Sequence, residues 1–221
     1  MELLSHLIHA DPASPRLTVY TETTGARMDF SATTLENWAA KVANFLAEEL
    51  EIEADDPVLI DLPVSWHSAV IAIGALARGA DLHYPADRSR TPEAVFTTPE
   101  RHGELSATYP DADIVLVTED PFGRGVAETG GTVAPGAVDF GPTVRFYGDE
   151  YYEPTQPLDQ LVAPLGSPER LLSAGWTDKE SFAATVLAPL AAGGSAVVVT
   201  GTSDATRLDA IAAAERVTAR V

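Results

Sequence analysis

The sequence contains no cysteine and only two lysines, Lys41 and Lys179. Without thiols there is no disulfide, no thiolate nucleophile and no thiolate metal site. Positive charge is scarce: 14 basic residues face 33 acidic ones, a formal net charge of −19. A surface of that sign repels phosphate backbones and anionic headgroups, so neither nucleic acid nor a membrane is an expected partner. Long apolar runs are missing as well. The longest, residues 69–77, is far too short to span a bilayer. The opening MELLSHLIHADP has no basic segment ahead of its leucines and reaches Asp11 early. It does not read as a secretion signal, and the expected location is cytoplasmic.

What is present is a globular composition. Of the 221 residues, 45% are hydrophobic, enough to bury roughly 70% of the unfolded surface without staples. Residues 58–80 organise the chain. Val58, Leu59, Ile60 and Leu62 form an apolar run closed by Pro63, as in a strand covered on both faces. Ser65 stands where a helix cap belongs. Val70, Ile71, Gly74 and Ala77 recur at helical spacing, and Gly79 supplies the stop. A further strand at 81–84 makes a parallel crossover unit.

The same reading applied along the chain predicts a short apolar helix within 1–13 and an antiparallel hairpin turning at Thr24-Gly25. A long amphipathic helix through Leu35, Val42, Phe45 and Leu46 follows, capped by Ser31 or, alternatively, by a capping box of Thr33 and Glu36. A polar loop at 86–92 precedes strands at 94–97 and 113–118, with a helix from Thr98 or Pro99 between them. Residues 119–142, rich in glycine and proline, read as a long loop. TVRFY at 143–147 alternates and reads as a strand, and GDEYYEPTQPLDQ as a solvated connector. Strands follow at 170–174 and 195–200. Between them lies a helix with a capping box at Thr177 and Glu180, ended or kinked at Pro189. Asp204 caps a last helix. The alternation predicts an α/β fold with mostly parallel sheets flanked by helices.

Tests for chemistry return little. Neither G-x-x-x-x-G-K-[ST] nor G-x-G-x-x-G occurs. TGTSDATRL at 200–208 follows a strand and opens a helix, but Asp204 repels phosphate and its residues are ordinary caps. His6 and His9 share a helix face without a third ligand. Asp61, Ser65 and His67 are neighbours in sequence only, whereas a triad is defined by geometry. Trp38 and Trp66 read as core.

Residues 35–50, 58–63 and 76–80, followed by Tyr84-Pro85, resemble the helix, Leu-Pro strand and Ala-Gly-Ala helix near the amino terminus of AMP-binding, acyl-adenylate-forming enzymes. LAPLAAGGSAVVVTG resembles a later turn into a strand of the same family. TLENWAAKVAN at 34–44 and the GDE after RFY resemble a family of short actinobacterial proteins distantly similar to those enzymes. The resemblance implies a single domain over 1–221, like the front half of an acyl-CoA-synthetase-like domain without its carboxy-terminal lid, with a subdomain break within 119–165. It also exposes departures. The lysine-containing loop that cradles ATP phosphates in these enzymes should fall between Val117 and Arg170, where there is neither a lysine nor the glycine-threonine run. The adenine motif and the lysine-bearing domain would follow residue 221.

The expectation is therefore a non-catalytic scaffold, regulatory or ligand-binding protein, with no catalytic residue, cofactor or metal assigned. A homodimer or protein partner is expected to cover surfaces that a longer enzyme buries. The alternative is a degenerate acyl- or nucleotide-binding enzyme, or a half-enzyme completed by a partner. In that case Ser173, Trp176 and Thr177 fall where the family lines its substrate pocket.

Overall fold

The computed structural model describes residues 1–87 and 89–221. Of the polar loop expected at 86–92, Arg88 lies outside the described residues. In chain order the elements are α1 (Ser5–Ala10), β1 (Pro15–Thr21), β2 (Ala26–Ser31), α2 (Ala32–Glu48), β3 (Pro57–Asp61), α3 (Trp66–Arg78), β4 (Asp81–His83), β5 (Ala94–Thr97), α4 (His102–Thr108), β6 (Asp113–Leu116), β7 (Val138–Asp139), α5 (Phe140–Val144), α6 (Leu158–Leu161), β8 (Arg170–Ser173), α7 (Lys179–Phe182), α8 (Ala188–Ala191), β9 (Ser195–Thr200), α9 (Ala205–Ala214) and β10 (Ala219–Arg220). A 3₁₀ turn, Pro99–Arg101, leads into α4, and a π-helical turn, Ala183–Leu187, joins α7 to α8. The chain divides into two compact units. One comprises Met1–Glu36, Val64–Trp66 and Pro154–Val221, the other Asn37–Pro63 and His67–Glu153.

The first unit is built on a five-stranded sheet ordered β10-β8-β9-β1-β2. Only the β1–β2 hairpin is antiparallel. The hairpin closes where Thr24-Gly25 predicts, with both N–H groups donating to the Thr21 carbonyl. Tyr20, Leu172, Val197, Val199, Ile211 and Ala212 form a core between the sheet and α9. Helix α9 starts at Asp204 as expected, its carboxylate accepting the Arg207 N–H at 2.7 Å. The cap of α7 differs from the expected one. Asp178, not Thr177, accepts the Ser181 N–H (2.7 Å), and Ser181 Oγ accepts the Asp178 N–H (3.1 Å). A carboxylate is the stronger acceptor at a helix start. Pro189 does not end the helix either: the π turn before it absorbs the missing N–H, and the chain continues as α8.

The second unit carries a five-stranded, wholly parallel sheet ordered β4-β3-β5-β6-β7. All of β3 is buried, as its unbroken apolar run predicts. One face packs Leu59, Val95, Ile114 and Leu116 against Leu105 and Val126. Phe96, pointing the other way along β5, meets Phe45 at 6.2 Å and Phe140 at 6.0 Å between ring centroids. Helix α3 lies close to α2 because position 74 is glycine: a Cβ there would sit 2.4 Å from Val42 Cβ.

The expected strand at 143–147 is not formed; Phe140–Val144 is helical. Phe140 and Val144 are buried while Phe146 is 89% exposed. Tyr147 reaches Phe45, 5.8 Å between centroids. Burial at 140 and 144, with the half-buried Tyr147 one turn further on, is a helical interval, which outweighs the two-residue alternation of TVRFY. The connector after it is not wholly solvated. Tyr151 is buried, and its hydroxyl donates to Glu153 at 3.1 Å, whereas Tyr152 is exposed.

Candidate functional site

The parallel sheet of the second unit reverses its build direction between β3 and β5, since β4 adds to one side of β3 and β5 to the other. Ligand crevices in open parallel sheets form outside the carboxyl ends of strands near such a reversal. Three polar groups frame that edge. Asp61 ends β3, is buried, and is ion-paired to Arg101 from the turn after β5. Arg101 also contacts Glu104 at 3.2 Å. His67, in the first turn of α3, is 3% exposed. Burial presses its pKa down to about 4, against the pull of Asp120, whose backbone carbonyl accepts its ring N–H. At neutral pH His67 is thus an uncharged, packed imidazole.

A cavity of about 510 Å³ opens at the ends of β5 and β6, within the usual size range of small-molecule sites. Thr98 and Glu100 enter it from the segment after β5, Thr118 and Glu119 from the segment after β6. Pro99, Val117 and Val126 give it an apolar side, and the turn carrying Thr129 closes it. Two aspartates build that wall. Asp120 accepts the N–H groups of Phe122 (3.0 Å) and Arg124 (3.2 Å) and pairs with the Arg124 side chain at 2.6 Å. The Arg124 bonds hold its carboxyl below the usual range. Asp139, at the end of β7, accepts the N–H groups of Val126 (2.9 Å) and Ala127 (3.2 Å). Position 125 must be glycine here, because a Cβ would lie 2.4 Å from Asp139 Oδ1. The stretch read from sequence as a loop is therefore a hydrogen-bonded pair of turns. Asp120-Pro121-Phe122-Gly123 was its legible signal, since Asp, Pro and Gly at those positions favour a type I turn; the Gly123 N–H donates to the Asp120 carbonyl at 3.0 Å.

The sequence-predicted pocket residues lie in the first unit. Ser173 is buried at the end of β8, its Oγ accepting the Gly175 N–H at 3.3 Å. Trp176 is buried edge-on against Phe182, 4.9 Å between centroids. Thr177 is exposed and donates its hydroxyl to Asp178 at 3.0 Å. His6 Nε2 lies 2.9 Å from the Leu190 carbonyl, away from any shared ligand set with His9. Among the described residues no group of three His, Cys, Asp or Glu could hold a metal ion, and no helix is long and apolar enough to cross a membrane.

No family model matches the chain. Among solved structures, the Brucella canis acyl-CoA synthetase superposes with a TM-score of 0.77 at 15% identity, covering 100% of this chain and 47% of its own. Apo MatB from Rhodopseudomonas palustris superposes with a TM-score of 0.69 at 14% identity, covering 99% of this chain and 48% of its own. The fold is therefore that of the amino-terminal half of acyl-CoA synthetase structures, as the resemblance in the sequence implied, and the chain spans about half the length of those it matches. The TIGR03089 family protein of Mycobacterium tuberculosis (strain ATCC 25618 / H37Rv) is 32% identical over 241 residues, covering 98% of this chain and 95% of the relative. With that identity across nearly the whole length of both, the chain belongs to the TIGR03089 family.

Proposed function

We propose that this chain is a non-adenylating, cytoplasmic relative of the acyl-CoA synthetases that keeps their amino-terminal fold as a ligand-binding module and works with a protein partner or a second copy of itself. One observation carries the reading. Between Val117 and Arg170, where the resemblance expects the phosphate-cradling loop, the cations are Arg124 and Arg145. Both are already engaged, Arg124 with Asp120 at 2.6 Å and Arg145 with Glu128 at 2.5 Å. Phosphoryl chemistry needs donors aimed at the phosphates and held ready for them, and these arginines instead brace turns. Calorimetric titration with Mg·ATP tests the reading, and no saturable binding is expected.

A half-enzyme completed in trans is the second reading, favoured by the twofold greater length of the superposed synthetases. In it, Ser173, Trp176 and Thr177 line a remnant of an acyl pocket, and the partner supplies the missing lysine. Co-purification of a partner that restores acyl-adenylate formation would favour it over the first.

A further inference from the structure

Phe122 and Phe146 are 77% and 89% exposed, yet each stands on a hydrogen-bonded mount in the second unit. Phe122 lies in the Asp120–Gly123 turn. Its N–H donates to the Asp120 carboxylate at 3.0 Å, and the Gly123 N–H to the Asp120 carbonyl at 3.0 Å. Phe146 follows α5, its N–H donating to the Thr143 carbonyl at 3.1 Å. Turn and helix are pressed together. A Cβ at Gly141 would lie 2.6 Å from the Gly123 carbonyl oxygen, and Arg145 donates to that same carbonyl at 3.2 Å. Two adjoining mounts therefore hold two phenyl rings in water. Neither ring lines the cavity at β5 and β6, and neither belongs to the core. Aromatic side chains have few rotors to immobilise, so covering them costs little conformational entropy, and they serve as anchors of interfaces.

Charge decides what covers them. The ion pairs that brace the two mounts, Arg124 with Asp120 and Arg145 with Glu128, balance each other, in a chain whose net charge is −19. A strongly basic partner is drawn to the acidic surface elsewhere, not to a balanced patch. A small molecule is held in a concavity, and rings this exposed project instead. A second copy fits. Two acidic copies repel least where local charge is balanced. A twofold interface needs a surface complementary to itself: here rings meet rings at the centre, and exposed groups of both signs, Arg124, Arg145 and Glu128, surround them. We propose that Phe122 and Phe146 form the centre of a twofold interface between two copies of this chain, with Arg124, Glu128 and Arg145 at its rim. The proposal rests on the reading that the chain works with a partner or a second copy, and commits to the second copy.

The test is a concentration series of the full chain in moderate salt, followed by amide-resolved NMR and by sedimentation equilibrium. Raising the concentration should shift the amides of Phe122, Gly123, Phe146 and Tyr147 and leave those of Leu208 and Ile211, in the first unit, in place. Phe122→Ser/Phe146→Ser should raise the dimer Kd by about tenfold or more, the scale of a lost aromatic anchor. Leu161→Ser, at an exposed apolar position of the first unit, should change it by less than about twofold, as outside an interface. Because the spectrum reports folding, an unfolded pair variant is recognised and replaced by Phe146→Ser alone, at the more exposed of the two positions. A strict monomer, shifts confined to other amides, or an unchanged dimer Kd in the Phe variants would overturn this interface and leave the reading with a different protein as partner. Saturable Mg·ATP binding by a dimer that behaves as predicted would overturn the reading and not the interface.

Discussion

Glu215 ties three residues of the first unit together. Its carboxylate accepts the Tyr20 hydroxyl at 2.6 Å, Arg27 Nε at 2.8 Å and Arg170 Nη2 at 2.5 Å, and its side chain is 8% exposed. Arg170 in turn donates to Thr18 at 3.0 Å, so the sheet and the end of α9 are joined through one carboxylate. Burial pushes the Glu215 pKa up, but the hydrogen bonds from Arg27, Tyr20 and Arg170 outweigh it and hold the group at about 2, against an ordinary 4.5. A depressed carboxylate pKa stabilises the fold above its unfolded value. That contribution drains away as pH falls from about 4.5 towards 2. Urea unfolding at neutral pH should show Glu215→Gln less stable by about 2 kcal/mol, the usual worth of a hydrogen-bonded charge. Over the acid window the variant should lose less stability than the parent; parallel pH profiles would refute the assignment. None of this was legible in the sequence. Tyr20 and Glu215 are 195 residues apart, and no local pattern marks a pair made by tertiary folding.

At the scale of elements, periodicity was a good guide where burial is one-sided or complete. Helix α2 and strands β3, β5, β6 and β9 lie where their apolar spacing places them. It misled where a short segment fits both periods, as at 143–147. It also missed β7 and β10, two residues each, which owe their existence to a neighbouring strand. The cavity wall escaped for a related reason: Asp139 reaches back to Val126 and Ala127, a long-range bond behind an unpatterned stretch. Gly74, by contrast, sat visibly in the buried stripe of α3. Gly74→Ala would gain helix propensity worth about 1 kcal/mol. It would also place a methyl 2.4 Å from Val42 Cβ, and overpacking of that kind costs about 1–3 kcal/mol. We expect net destabilisation in denaturant titration. A variant as stable as the parent would mean that α2 and α3 separate without cost.

For the whole molecule, similarity over 100% of this chain at 15% identity shows that this half of the synthetase fold tolerates nearly complete change of sequence. A shared fold at that identity does not carry a shared chemistry with it. Exposed aromatics point to association. Phe122 and Phe146 are 77% and 89% exposed, and the Arg145 bond to the Gly123 carbonyl, at 3.2 Å, brings their segments together. With a net charge of −19, copies repel at low ionic strength, so added salt should promote self-association. Sedimentation velocity should show a dimer at high concentration in moderate salt, reduced to monomer by Phe122→Ser/Phe146→Ser. A strict monomer at all concentrations would contradict self-association through this patch. The reading of the chain as a non-adenylating relative meets its plainest trial in calorimetric titration of the full chain with Mg·ATP. We predict heats of dilution alone, because Arg124 and Arg145 are committed to Asp120 and Glu128. Saturable binding at micromolar concentration would contradict it and return the chain to the nucleotide-using enzymes.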